Sequence, residues 1–120
     1  MCSSDLLPLP VAYWNLLALE KIKQADEKRR QVLALADWVR RSLRELGFTV
    51  LGNSQIVPIV VGSSDAVLAL GQSVRAQGFW PGVIRPPTVP AGACRLRCSI
   101  HACLTEEVLK TFVQVLRDAE

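Results

Sequence analysis

The segment from Arg85 to Pro90, Arg-Pro-Pro-Thr-Val-Pro, restricts the fold more than any other part of this chain. Each of its three prolines holds φ near about −65°, lacks an amide donor and limits the conformation of the residue before it. Such a segment can continue neither a helix nor a central strand. We therefore predict a stiff, irregular connection between two regular elements at residues 85–90.

Four strand candidates surround this connection. Residues 94–101 alternate apolar and polar side chains, as a half-buried strand does. The β-branched run 55–61 predicts another strand, in which Pro58 requires an edge position or a bulge because it cannot donate to a ladder. Shorter candidates lie at 48–51 and 79–84.

Apolar residues at helical spacing predict helices before, between and after these strands. The pattern over 22–46 predicts one long helix that ends at Gly47. A second helix follows the N-cap residue types Ser63, Ser64 and Asp65 and ends at Gly78, and a third follows a cap at Thr105. The order after the long helix is therefore ββαββα, which indicates an α+β fold with a small antiparallel or mixed sheet and helices on one face.

The length of 120 residues and the hydrophobic content of 50% suffice for one core. We expect a single domain over residues 1–120. Residues 1–47 form its leading segment, which turns helical at Val11, and the long helix. Residues 48–120 form its α+β module.

Charge and apolar content disfavour several classes of function. The net charge is +3, and the densest basic runs, Lys28–Arg30 and Arg40–Arg41, lie among acidic residues of the long helix. That pattern favours a solvated helix face over a nucleic-acid surface. No apolar run approaches a membrane span, and the first residues lack a signal-peptide pattern. We expect a soluble cytoplasmic protein that binds neither nucleic acid nor membrane.

The four cysteines match no zinc-binding spacing. They are Cys2, Cys94, Cys98 and Cys103. Cys94 and Cys98 share one predicted strand, which places their α-carbons about 13 Å apart, whereas a disulfide needs less than about 7 Å. We expect buried, reduced thiols and no metal site.

Within the stiff segment, Arg85 and Thr88 are the candidate binding residues. A guanidinium can grip a carboxylate through two parallel hydrogen bonds, and the threonine hydroxyl can add a third. A stiff segment also has little conformational entropy to lose on binding. The alternative is a rigid surface connection with a solvated arginine, which composition alone favours.

The remaining polar residues predict no catalytic group. Arg95 and Arg97 project from one strand face, where they indicate either a second anion site or ion pairs with a neighbouring helix. His101 is the only histidine, and no serine or cysteine has an obvious acid–base partner. The lysines lie on solvated helix faces, so none is desolvated enough for a Schiff base. They are Lys21, Lys23, Lys28 and Lys110.

Several stretches resemble the C-terminal end of the 8-amino-7-oxononanoate synthases. The most specific are Gly78-Phe79-Trp80, Ile84 to Gly92, and Arg95-Leu96-Arg97, and 55–62 and 8–19 are also similar. These enzymes are α-oxoamine synthases, which are fold-type-I pyridoxal-phosphate enzymes. The resemblance covers nearly the whole chain, from about Pro8 onward.

The resemblance implies the C-terminal small domain of a homodimeric, pyridoxal-phosphate-dependent C-acyltransferase. Such an enzyme condenses L-alanine with a pimeloyl thioester in biotin synthesis and releases carbon dioxide. By this resemblance Arg85 grips the amino-acid carboxylate and Thr88 is a substrate contact. The family's cofactor lysine precedes the part matching 8–19, in a large N-terminal domain. We therefore expect no cofactor binding and no catalysis by this chain alone.

One position departs from the family pattern. The family reads like Thr-Ala-Ala-His before its last helix, whereas this chain has His101-Ala102-Cys103-Leu104, so that Leu104 replaces the usual histidine. Two alternatives stay open. One is a sister α-oxoamine synthase with another amino acid or acyl thioester. The other is a non-catalytic module that binds a partner protein through its apolar faces.

Overall fold

The structure, a computed structural model, describes residues 6–119. Its helices are α1 (Leu9–Lys23), α2 (Asp26–Glu45), α3 (Ser64–Ala76) and α4 (Glu106–Asp118). Its strands are β1 (Thr49–Val50), β2 (Ile56–Gly62), β3 (Gly82–Ile84) and β4 (Cys94–Ser99). The order ββαββα after α2 confirms the predicted α+β fold class.

The strands form one antiparallel sheet in the order β1-β2-β4-β3. Strand β4 lies in the interior, where Leu96 pairs with Ile59 of β2 and Val83 of β3. The predicted alternation along β4 is confirmed, because Leu96 is buried while Arg97 is exposed. One face of the sheet therefore belongs to the core, and the other carries the arginines.

Helices α2, α3 and α4 pack on the core face of the sheet. Their buried apolar residues are Ala36, Val39, Leu43, Val67, Val74, Leu109, Phe112 and Leu116. The rings of Phe79 and Phe112 lie 5.3 Å apart at an angle of 56°, which ties the approach to β3 to α4. No helix among residues 6–119 is long and apolar enough to cross a membrane.

The predicted helix over 22–46 is interrupted, so α1 and α2 are separate elements. The backbone leaves helical geometry at Gln24 (φ −92°, ψ 0°) and Ala25 (φ −98°, ψ 24°). Basic Lys23 ends α1 and acidic Asp26 begins α2, which is the charge arrangement that helix dipoles favour at a C-terminus and an N-terminus. Apolar spacing alone does not detect this boundary.

The predicted helix ends are confirmed. Gly47 adopts φ 97°, and the amide of Phe48 donates to the carbonyl of Leu43 at 3.0 Å, which closes the C-terminus of α2. The hydroxyls of Ser63 and Thr105 accept hydrogen bonds from backbone amides in the first turns of α3 and α4.

The prediction that the strand with Pro58 lies at an edge or carries a bulge is confirmed in its second form. Strand β2 lies between β1 and β4, and it carries an irregularity at Val60–Gly62, beyond the proline itself. The carbonyl of Pro58 accepts from the amide of Leu51 at 3.0 Å, but proline cannot donate the return bond. Nε of Arg40 donates to the Leu51 carbonyl instead, at 3.4 Å. An arginine thus supplies the donor that the interior proline lacks.

The prediction that Arg40 and Arg41 both lie on a solvated helix face is wrong for Arg40. Its side chain is 4% exposed, and Nη2 donates to the carbonyl of Ser54 at 2.7 Å. Its Nη1 pairs with a carboxylate oxygen of Asp37 at 2.5 Å. Arg41, one position further, is exposed. The difference arises because the chain between β1 and β2 returns across α2 and presents its carbonyls to Arg40.

Gly71 marks a close approach between α3 and β3. A Cβ placed there would lie 2.8 Å from Cγ2 of Val83. We expect Gly71→Ala to lower the free energy of unfolding by about 1–2 kcal/mol, because this overpacking outweighs the better helix propensity of alanine. Urea unfolding followed by circular dichroism measures the change.

Val83→Ala makes room for the added methyl group. The double variant Gly71→Ala/Val83→Ala should therefore be more stable than the sum of the two single effects. Additive effects would show that α3 does not depend on the glycine for its distance from β3.

Three cysteines lie among the described residues, and Cys2 lies outside them. Cys94 and Cys98 are buried free thiols, as predicted. Cys103 is free but exposed, so the expectation of burial is wrong there, because it lies in the turn after β4 rather than on the strand. Burial raises the pKa of the Cys98 thiol from its ordinary 9.0 to about 12.

The raised pKa of Cys98 predicts both a pH dependence and a labelling pattern. The thiol's contribution to stability is complete below pH 9 and is lost as the pH rises from about 9 towards 12, because only the unfolded thiol ionises in that window. In a Cys2→Ser variant at pH 8, we expect DTNB to modify Cys103 quickly and the two buried thiols only after unfolding. Fast modification of a second thiol in the native protein would contradict this.

Candidate functional site

The candidate site lies in the connection between β3 and β4. Arg85 directly follows β3, and its carbonyl accepts from the amide of Thr88 at 3.1 Å. The carbonyl of Pro90 accepts from the amide of Ala93, also at 3.1 Å, and the Pro86–Pro87 peptide bond is cis. The structure therefore confirms an irregular connection between two strands and places Arg85 and Thr88 at the two ends of one turn.

The side chains of Arg85 and Thr88 are both exposed. Both residues lie in the connection that links β3, the strand at one edge of the sheet, to β4. Exposure alone is also what a solvated arginine would show, so the surroundings must separate the two interpretations. A carboxylate site is favoured where the nearby charges are positive, so the charges on the sheet face that α2, α3 and α4 leave open bear on the choice.

The open sheet face carries two further arginines with different surroundings. Nε of Arg95 donates to the carbonyl of Ala93 at 3.2 Å, so Arg95 braces the connection. Arg97 is exposed and pairs across the ladder with Gly82. A Cβ at Gly82 would lie 3.7 Å from Nε of Arg97. Arg97 is thus an exposed cation of this face, whereas Arg95 is half-buried.

Carboxylates are scarce in this part of the sequence. Residues 46–105 contain one acidic residue, Asp65, at the start of α3. The ion pairs between described residues lie within α2 and α4. The interpretation that Arg95 and Arg97 pair with a neighbouring helix is therefore wrong, because the helices cover the other face of the sheet. Arg85 and Arg97 remain open to an anion from outside.

The turn after β4 holds the only histidine of the sequence. His101 is exposed, and its Nδ1 accepts from the amide of Cys103 at 3.3 Å. Leu104, where the resemblance expects a histidine, is half-buried in an apolar hollow with Phe79 and Phe112. The leucine therefore takes part in packing.

Sequence comparison assigns the chain to a family. Residues 1–116 match the family model described as aminotransferase class I and II. The chain belongs to that family. It is 37% identical over 103 residues to the 8-amino-7-oxononanoate synthase of Gluconacetobacter diazotrophicus and 40% identical over 102 residues to that of Pelobacter propionicus. These matches cover 85% and 82% of this chain but 26% of each relative, so the chain spans about a quarter of the curated relatives' length.

Solved structures of class I and II aminotransferase relatives share this fold. A serine palmitoyltransferase from S. paucimobilis with bound pyridoxal phosphate (PLP) and myriocin matches with a TM-score of 0.80 and 27% identity, over 86% of this chain and 27% of that one. An 8-amino-7-oxononanoate synthase from Francisella tularensis matches with a TM-score of 0.83 and 14% identity, over 97% of this chain and 34% of that one. PLP is the cofactor of this family.

The residues described here do not by themselves fit that cofactor. A Schiff base requires a desolvated lysine, and all four lysines of the chain lie exposed on α1, α2 and α4. None lies on the sheet or in the 85–93 connection. Lys110 pairs with Glu106 through a contact of 2.8 Å. What the described residues offer is two exposed guanidinium groups, those of Arg85 and Arg97.

Proposed function

We propose that this chain, as a C-terminal small domain over residues 1–120, supplies the carboxylate-binding wall of a PLP-dependent C-acyltransferase. The proposed reaction joins L-alanine to a pimeloyl thioester, releases carbon dioxide and gives 8-amino-7-oxononanoate for biotin synthesis. We propose further that the complete enzyme is a cytoplasmic homodimer. The observation that carries the proposal is the exposed Arg85 at the end of β3, in a stretch of sequence, residues 46–105, that contains one acidic residue.

The carboxylate-binding role follows from the donors that this face presents. The guanidinium of Arg85 offers parallel N–H groups that match both oxygens of a carboxylate. Thr88, at the other end of the same turn, adds a hydroxyl donor. Arg97 adds positive charge without a competing carboxylate. An amino acid held by its carboxylate keeps its amino group and α-carbon free for reaction.

The Schiff-base lysine is proposed to come from polypeptide equivalent to the other three quarters of the relatives' length. Addition of PLP to the 120-residue chain, followed by borohydride reduction and peptide mass spectrometry, should then reveal no stoichiometric lysine adduct. A single lysine modified to completion would contradict this division of roles.

A chimeric enzyme tests the proposed function directly. In this chimera the matched quarter of the Pelobacter propionicus enzyme is replaced by the present chain, which is 40% identical to it. The chimera should bind PLP and form 8-amino-7-oxononanoate from L-alanine and a pimeloyl thioester. A folded, PLP-loaded chimera that consumes no L-alanine would contradict the proposal.

A second candidate is a sister synthase, favoured by the 27% identity to a serine palmitoyltransferase. The chimera distinguishes the two, because amino acids and acyl thioesters can be offered in pairs. Product from L-serine and a long-chain thioester, with none from L-alanine, would favour the sister activity.

Thr88→Ala should have a modest effect on the chimera. The loss of one hydroxyl donor to a carboxylate is expected to raise KM for L-alanine by roughly threefold to tenfold, which corresponds to the net contribution of one hydrogen bond. Steady-state kinetics at saturating thioester measure this. Thr88→Ser keeps the hydroxyl and should restore most of the affinity, and a serine variant as weak as alanine would argue against the contact.

A further inference from the structure

Helix α1 is apolar on every side. No charged residue occurs between positions 6 and 19, and none of its side chains is buried in this chain. Leu9, Trp14 and Leu19 are 82%, 72% and 54% exposed. Because successive helical residues turn by about 100°, these three side chains point in directions separated by roughly 140°, 140° and 80°. Between Leu9 and Leu19 the only polar side-chain groups are the Tyr13 hydroxyl, the Trp14 indole N–H and the Asn15 amide, so this part of the helix has no charged face to turn towards water.

Helix α1 also stands away from the folded body. The radius of gyration is 18.1 Å, with extents of 54 × 36 × 25 Å, whereas a compact chain of this length has about 14 Å. The break at residues 24–25 separates α1 from α2, and a bond of 2.5 Å from Arg29 Nη1 to the carbonyl of Ile22 braces the junction. The body thus presents the helix without covering it.

A second copy of the chain and a membrane surface would both cover this helix poorly. If the α1 helices of two copies paired, each would bury one stripe of apolar side chains and leave the remaining apolar side chains exposed to water. A helix lying on a membrane surface needs a charged polar face, but the charges of α1, Glu20, Lys21 and Lys23, lie together at its end. A helix that is apolar all round belongs in a core that surrounds it.

We propose that α1 is enclosed on all sides by the polypeptide equivalent to the relatives' other three quarters, on the same chain or as a separate one. This inference rests on the proposed function for the identity of that polypeptide. The Francisella tularensis structure supports it, since the match covers 97% of this chain while two thirds of that longer chain lie outside the match. The receiving surface is an apolar channel, about 20 Å long for a helix of 15 residues.

Glutamate substitutions in three directions test the enclosure. Leu9→Glu, Trp14→Glu and Leu19→Glu are made singly, both in the 120-residue chain and in the chimera. In the chimera each should lower Tm by about 5 °C or more, because each buries an unpaired charge. In the 120-residue chain each should leave Tm within about 2 °C. Ala34→Glu, at an exposed position of α2, is the matched control and should be tolerated in both settings.

Three outcomes would overturn the proposal. A lower Tm for only one of the three substitutions would mean that α1 makes a flat contact. An equal loss of Tm in the chimera and in the 120-residue chain would mean that α1 is already packed in this chain. A defined dimer of the 120-residue chain that all three substitutions dissociate would make a second copy the partner of α1. Acrylamide quenching of Trp14, with Trp38 and Trp80 replaced by phenylalanine, gives an independent measurement. Trp14 should be accessible in the 120-residue chain and shielded when the rest of the Pelobacter enzyme is joined or added separately.

These measurements need no substrate. A chimera that is inactive on L-alanine but sensitive in all three directions would remove the proposed activity and leave the enclosure intact. An active chimera that tolerates all three glutamates would remove the enclosure of α1 and leave the proposed activity intact.

Discussion

Arg85→Ala in the chimera is expected to lower kcat/KM for L-alanine by roughly 30- to 150-fold, which corresponds to about 2–3 kcal/mol. The substitution removes a charge-assisted, two-point grip on the substrate carboxylate, for which the exposed Thr88 hydroxyl is no substitute. PLP loading, measured by absorbance, should not change, because the lysine is proposed to come from elsewhere. Stability should change little, because Arg85 is exposed.

Two variants give this prediction its controls. Arg41→Ala removes the same charge from an exposed position on α2 and should leave kcat/KM within about twofold. Arg85→Lys keeps the charge but not the paired donors, so it should recover only part of the activity. Parallel loss of PLP loading and alanine turnover in Arg85→Ala would argue for a general defect instead of a carboxylate contact.

Arg40→Met in the 120-residue chain is expected to lower the free energy of unfolding by about 2–4 kcal/mol. The buried guanidinium donates hydrogen bonds to the carbonyls of Leu51 and Ser54, and methionine would leave both carbonyls without that donor. For a chain of this size, Tm should fall by about 10 °C. Differential scanning calorimetry and urea unfolding measure the two quantities.

Neighbouring positions separate this network from a general loss of charge. Arg41→Met, one residue along α2, should change stability by less than about 0.5 kcal/mol because Arg41 is exposed. Pro58→Ala restores an amide opposite the Leu51 carbonyl, so it should be less destabilising, or even stabilising, in the Arg40→Met background. Strictly additive effects of the two substitutions would show that Arg40 does not replace the donor missing at Pro58.

Sequence reasoning succeeded where short-range chemistry decides the structure. The proline segment 85–90, the glycine end at Gly47, and the caps at Ser63 and Thr105 all depend on residues within a few positions of one another. The same applies to the alternation along β4, because its period of two is a property of the extended chain itself. The strand candidate at 79–84 was too long, since β3 begins only after Pro81, which has no amide donor.

Sequence reasoning failed where a distant part of the chain supplies a partner. Arg40 donates to carbonyls 11 and 14 residues away, and one of them is the Leu51 carbonyl, opposite Pro58, to which proline cannot donate. The charges of Lys23 and Asp26 mark the break at residues 24–25 in the sequence, but the spacing of apolar residues does not reveal it.

The sequence by itself therefore determined the order of the elements after α2 and the stiff connection that holds Arg85 and Thr88, because these follow from backbone restrictions and near neighbours. Only the tertiary structure decided that β4 lies inside the sheet, that Arg97 faces away from the helices, and that α1 is left without cover. Those outcomes depend on which distant strands and helices meet. That choice is made by burial of apolar surface over the whole chain, which no local pattern records.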